Sequence, residues 1–187
     1  TEVKTNKISP ATGTAFALGD SGDTFTVPSG ATIVNSGTAT GFGGTNTPAF
    51  QAYLSSTQTV VDGTETKIEM DTEDFDTDSD YDNSSNYRFT PQTAGKYYVY
   101  ATTRGDTSAS SLGLQMTAIY LNGASYIQNQ ADFRNNDAQN VGYTVQAIID
   151  MNGSSDYVEC YGRIIGGTSI MSSPTRSSIF GAYKIIE

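Results

Sequence analysis

Ten acidic residues and one lysine, Lys67, lie between Asp62 and Asp82 of this 187-residue chain. The formal net charge is −10, and the residues outside that window balance to within one charge. Asp74, Asp76, Asp78, Asp80 and Asp82 alternate with uncharged residues. In an extended segment that alternation would put all five carboxylates on one side. Crowded carboxylates repel one another and need solvent, counterions or a bound cation, and calcium prefers hard oxygen ligands of this kind. The spacing departs from the EF-hand loop. With Asp76 as first ligand, the sixth position is Tyr81 rather than glycine, and the twelfth is Tyr87 rather than glutamate. The competing reading is a solvated loop whose aspartates cap turns. That is the expectation, with no cofactor, and calcium at the acidic loop is its alternative.

Other chemistry is thinly represented. The chain has no histidine, which removes Ser-His-Asp, Cys-His and most zinc sites. Cys160 is the only cysteine, and its place in the alternating run 156–165 predicts a buried apolar role. Asp156 with Glu159 could pair as in a glycosidase, but nothing around them supports it. Gly166-Gly167 lacks the strand–turn–helix setting of a phosphate loop. Tyr97, Tyr98, Tyr100, Tyr120, Tyr126, Tyr143, Tyr157 and Tyr161 could stack sugars. As strand residues they are expected half-buried, with the hydroxyl in water. No catalytic residue and no metal ligand is assigned, and the chain is not expected to be an enzyme. Seven Lys or Arg residues follow Asp82 without forming a basic patch, which excludes nucleic acid as a partner. There is no apolar run of spanning length and no signal-peptide pattern, so no membrane insertion is expected. Thr1 fits either loss of an initiator methionine or cleavage of a precursor.

Two textures divide the chain. Residues 1–47 are rich in Gly, Thr, Ser and Ala, with strand-like bits such as DTFTVPSG and ATIVNSG punctuated by glycine. Each bit carries one or two apolar residues, Phe25 with Val27 or Ile33, too few to offset the entropy of ordering. The segment is therefore a linker or a repeat-like stem whose rungs identical chains complete, and the recurring rung length favours the stem. From residue 48 to 187 the pattern is all-β. Strands are predicted at 50–55, 58–61, 66–70, 87–90, 96–103, 112–121, 125–128, 141–150, 157–165 and 178–186. Asp62-Gly63, Ala94-Gly95, Asn122-Gly123 and Asn152-Gly153 mark turns between them. Some ten short strands without helical periodicity predict a jelly-roll sandwich. The apolar last strand must lie centrally in a sheet or against another subunit, because an exposed apolar edge aggregates.

The order of motifs carries a resemblance. PAFQAYLSS, TKIEMDTEDFDT, YDNSSNYRFTPQTAGKYYVYA, IYLNGASY, NGSSDYVECYG and SSIFGAYKI follow one another along residues 48–187. Together they resemble the globular head of complement component one q, a trimeric jelly roll related to the tumour-necrosis-factor fold. The most specific stretch is carried by Phe75, Asp76, Tyr81, Asp82, Arg88, Phe89, Thr90, Pro91, Ala94, Gly95 and Tyr97. The resemblance implies that Asp76 and Asp82 are structural, bonding backbone N–H groups or Arg88, and leaves Asp78 and Asp80 solvated. Some relatives in that family bind calcium.

The Gly/Thr-rich segment is similar to stems of phage-encoded members of the family. The resemblance therefore implies a homotrimeric bacteriophage virion structural protein, a short fibre, spike or decoration protein. Its stem would join other virion proteins and its head would project. Strand alternation makes Tyr183 and Ile185 the expected trimer contacts, with Phe180 facing the core. Two alternatives follow. Loops 105–111 and 132–140 could bind a host-surface glycan or protein, or carboxylates could degrade polysaccharide.

Overall fold

The structure is a computed structural model that describes residues 13, 19–34, 36, 46–107, 112–134, 138–166, 169–171 and 175–185. Two units divide the chain, Thr1–Phe42 and Gly43–Glu187. In the first, Asp23 N–H donates to Asp20 O and Ala31 N–H to Pro28 O, each at 3.0 Å, closing two turns. Among the described residues, the strand-like residues 24–27 and 32–34 belong to no strand.

The second unit carries thirteen strands among the described residues. They are β1 (Ala49–Tyr53), β2 (Gln58–Thr59), β3 (Thr66–Lys67), β4 (Thr72–Asp76), β5 (Tyr81–Asp82), β6 (Arg88–Phe89), β7 (Gly95–Asp106), β8 (Leu114–Leu121), β9 (Ala124–Asp132), β10 (Asn140–Met151), β11 (Val158–Ile165), β12 (Ser169–Met171) and β13 (Ile179–Lys184). Ten of these realise the predicted strands, while β4, β5 and β12 are additional. Every pairing is antiparallel. A seven-stranded sheet is ordered β2-β12-β7-β13-β1-β4, with β10 along the other edge of β7. A six-stranded sheet is ordered β5-β6-β11-β8-β9, with β3 also on β11.

Alternation decides which side chains meet between the sheets. Tyr97, Val99, Ala101 and Thr103 point inward from β7, while Tyr98, Tyr100 and Thr102 point out half-buried. Phe180 and Ala182 of β13 are buried in the same core, and Cys160 joins them from β11. Burial raises the Cys160 thiol pKa well above its ordinary value, which leaves it unreactive. The apolar last strand lies between β7 and β1, so neither edge is exposed. The core includes one polar island between the sheets. Buried Thr103 and Thr117 share a 2.7 Å hydroxyl contact, and Gln115 Nε2 donates to Thr103 Oγ1 at 2.9 Å.

Candidate functional site

The acidic run is neither one loop nor one extended carboxylate face. Its first part is β4, laddered along β1, and the ladder ends at Asp76. There the chain bends around the Asp76 carboxylate. Oδ1 accepts the Ser79 N–H at 3.1 Å, and Oδ2 accepts the Tyr81 N–H at 2.8 Å. Ser79 takes φ 61° in this bend, which breaks the alternation that the sequence implied. Asp82 repeats the device one turn later. Its carboxylate accepts the N–H groups of Ser84, Ser85 and Asn86 at 3.1, 2.9 and 3.1 Å. The Asn86 side chain adds a 2.7 Å bond.

Both aspartates are thus structural, through backbone N–H groups. Arg88 lies instead over the Tyr157 ring, 4.4 Å from its centroid. Asp80 is a correction to the solvated expectation. It is half-buried, its Oδ2 accepts the Gln92 N–H at 3.1 Å, and its carbonyl accepts the Thr90 N–H at 2.8 Å. Burial raises its pKa, the Gln92 N–H opposes that, and Asp76 and Asp78 add to it. Asp78 is exposed and accepts the Thr77 hydroxyl at 2.6 Å. Asp74 accepts from Gln51 Nε2 and pairs with Arg176, each at 2.7 Å. Among the described residues, no group of three or more acidic or cysteine side chains is placed to hold a metal ion.

The Ser85 and Ser84 N–H groups, with help from Asn86, hold the Asp82 carboxyl far below the usual carboxylate range. A folded-state pKa lowered in this way stabilises the fold above the unfolded value of about 3.9. The contribution fades as pH falls from that value toward the folded one. Asp82→Asn is therefore expected to flatten the acid limb of stability below about pH 4 while leaving its slope near neutral pH unchanged. Urea melts from pH 7 down to pH 2 read this, and an unchanged acid limb would remove the assigned role.

The rest of the motif builds the core. Phe50 stacks on Tyr81 at 4.5 Å and on Phe89 at 4.6 Å, and meets Phe180 edge-on at 5.1 Å. Tyr97 meets Phe89 edge-on at 5.7 Å. Tyr81 donates to Met70 O at 2.9 Å and Tyr97 to Thr93 O at 2.6 Å. Burial pushes the Tyr97 hydroxyl up to about 12. Pro91 is buried beside them, and Gly95 opens β7. Phe75 differs from these residues, being 47% exposed on β4 opposite Gln51.

The tyrosine hydroxyls are also a correction. Those of Tyr98 and Tyr120 bond Gln146 and Glu65, and that of Tyr100 bonds Gln51 Oε1 at 2.6 Å, where water was expected. Asp156 does not pair with Glu159. It receives the Asn152 N–H at 2.8 Å, while Glu159 is buried against Lys67.

The two outward sheet faces differ in chemistry. On the six-stranded sheet Lys67 pairs with Glu159, Arg163 bridges to Gln130 at 3.1 Å, and Tyr120 stacks on Tyr161 at 3.9 Å. On the seven-stranded sheet, strands β1, β13, β7 and β10 set uncharged residues side by side. One row is Ala49, Tyr183, Tyr98 and Ile148, and the next is Gln51, Gly181, Tyr100 and Gln146. A third is Tyr53, Ile179, Thr102 and Thr144. Ile148 is 56% and Tyr183 38% exposed. Tyr98 lies 5.3 Å from Tyr183 and 6.0 Å from Tyr100. Ile185 follows the end of β13, half-buried, with its N–H on Lys96 O at 2.8 Å. The two proposed recognition loops lie partly outside the described residues, at 108–111 and 135–137.

Solved structures share this two-sheet arrangement. Murine APRIL at pH 5.0 superposes with a TM-score of 0.56 at 8% identity, over 73% of this chain and 98% of that one. The globular domain of zebrafish complement 1qA gives 0.54 at 15% identity, over 74% and 96%. Eiger TNF from S. frugiperda gives 0.52 at 13% identity, over 73% and 91%. The fold is the TNF/complement-1q jelly roll. At these identities the likeness is one of fold. No family profile and no curated protein matches the sequence. Within the jelly roll, the motif at 75–97 supplies much of the aromatic core and the turns above it, while the face with the uncharged rows belongs to the sheet that holds the terminal strand.

Proposed function

We propose that this chain is a homotrimeric structural protein of a bacteriophage virion, a short fibre, spike or decoration protein with a projecting jelly-roll head. The observation that carries the assembly is the uncharged tyrosine face of the seven-stranded sheet. In a chain of net charge −10, twelve contiguous uncharged positions with exposed Ile148 and Tyr183 suit an interface between identical copies. Uncharged positions let identical acidic chains approach with little repulsion, and the charged pair beside them, Asp74 with Arg176 over the Tyr53 ring, is internally compensated. The other outward face pairs its charges internally, Lys67 with Glu159 and Arg163 with Glu65, over a small apolar cluster of Leu114, Met116 and Ala118 that is already buried, so it suits solvent. The trimeric order and the virion setting come from the resemblance carried by the head motifs and the Gly/Thr-rich segment. No reaction is assigned: Asp76, Asp80 and Asp82 accept backbone N–H groups at turns, and Asp74 pairs with Arg176.

Light scattering behind size exclusion is expected to give about three times the 19.9 kDa protomer mass. Tyr98→Glu, which puts a charge on this face beside Tyr183 and Ile148, is expected to give folded monomers. A monomeric wild type, or a trimer indifferent to Tyr98→Glu, would refute the assignment of this face. Antibody against the head is expected to label purified particles, and its position would distinguish tail, neck and capsid. The proposal includes no cofactor. Melting curves in calcium and in chelator are expected to coincide, whereas a rise with calcium would mean preferential binding to the folded state.

A further inference from the structure

The first unit contains an eight-residue repeat that the turns make visible. Ser21-Gly22-Asp23-Thr24-Phe25 recurs as Ser29-Gly30-Ala31-Thr32-Ile33. Each copy begins with the same turn: residue four donates to residue one at 3.0 Å, in 20–23 and again in 28–31. Gly22 at φ 97° and Gly30 at φ 85° occupy the third position of these turns. Ser21 and Ser29 before them are not at positive φ, so both turns are of type II, which requires glycine or asparagine at that position. The repeat is thus one of conformation as well as of residues.

Among the described residues, the segments that follow each turn, 24–27 and 32–34, belong to no strand. Among the described residues of this unit, the backbone hydrogen bonds are those of the two turns. Phe25 is 67%, Ile33 55% and Val34 83% exposed. Their residues are β-branched or aromatic, the types that favour strands. Water can satisfy such main chain, but its exposed apolar side chains are buried only when another strand adds beside it. Residues 24–36 contain no charge, and the carboxylates of Asp20 and Asp23 stand at the first turn, where Asp20 N–H donates to Asp23 Oδ2 at 2.8 Å. Identical copies therefore meet no electrostatic barrier along this stretch.

We propose that residues 19–34 form an intermolecular β-stem in which two further copies of this chain supply the missing strand partners. Thr24–Val27 and the equivalent 32–34 are its rungs, the type II turns are its corners, and Phe25 and Ile33 are its successive inward layers. The proposal rests on the trimeric reading, because tethering to an associated head raises the local concentration of the three segments.

The test uses the full-length protein, with the assembly state read first by light scattering. In the trimer, hydrogen exchange at the amides of residues 24–27 and 32–34 is expected to be slowed at least ~10-fold relative to an unstructured chain. Phe25→Cys with a bismaleimide is expected to give covalent interchain species, and buried Cys160 keeps the wild-type background silent. Gly22→Val combined with Gly30→Val is expected to abolish the protection while the head stays trimeric. A trimeric head with freely exchanging rungs and no cross-link would overturn the stem alone. Rungs protected only on the intact particle would overturn it too, by assigning the partner strand to a different virion protein. A monomeric head would overturn the trimer reading, and the stem with it.

Discussion

Phe50→Ala is expected to cost about 3–5 kcal/mol of unfolding free energy, the range for truncating a fully buried phenylalanine. Phe50 has no exposed surface and contacts Tyr81, Phe89 and Phe180 with centroid distances of 4.5, 4.6 and 5.1 Å. Those partners come from both sheets. Tyr81 and Phe89 sit on β5 and β6 of one, Phe180 on β13 of the other. The ring is therefore the wedge across which the sheets are registered, and alanine leaves a cavity bounded by three aromatic faces that cannot all collapse at once. Aromatic pairing adds about 0.5–1.5 kcal/mol per pair beyond the area buried, so the loss lies toward the upper end. Phe50→Leu keeps most of the volume and is expected to cost less than half as much. Equilibrium urea unfolding of the two variants separates them, and equal losses would show that Phe50 contributes ring geometry rather than volume.

The same aromatic cluster shows what was legible in the sequence. The motif at 75–97 singled out Tyr81, Phe89 and Tyr97, and alternation put Phe180 inside, because local pattern decides which face of a strand is apolar. The long strands β7, β8, β10 and β11 were readable for the same reason. The strands that pattern did not show include β4 and β5, whose TEDFD and YD carry residues of poor β-propensity. They are strands because β1 and β6 offer partners, and tertiary pairing overrode propensity. The hydroxyl partners of the tyrosines were equally hidden. Tyr100 meets Gln51 across 49 residues of sequence, and only the register of β1, β13 and β7 brings them together. Likewise the pairing of Asp80 with Gln92 depends on how the chain returns after β6. The uncharged face is a product of three rows in register, so composition alone gave no sign of it.

Gly153→Ala is expected to cost about 2–5 kcal/mol, combining a left-handed backbone penalty of about 1–2 kcal/mol with overpacking of about 1–3 kcal/mol. Gly153 has φ 69°, and a Cβ there would lie 2.1 Å from Ala94 N and 2.6 Å from Thr93 C. Those atoms are main chain, so no side-chain rotation relieves the clash. Neither turn can yield easily. Asn152 Oδ1 accepts the N–H groups of Ser154, Ser155 and Asp156 at 3.0, 2.9 and 3.1 Å, which fixes the turn around Gly153. On the other side, Thr93 O accepts the Tyr97 hydroxyl, which anchors the Ala94 turn to the core. Gly63→Ala is the matching control. Its φ is 70°, yet nothing lies within 4 Å of the added Cβ, so it bears the backbone penalty alone, about 1–2 kcal/mol. The difference between the two variants in chemical denaturation therefore measures the contact between turns directly. If Gly153→Ala loses no more than Gly63→Ala, the turn at Asn152 moves freely over Ala94, and the motif's Ala94-Gly95 step is held by its own strand rather than by its neighbour.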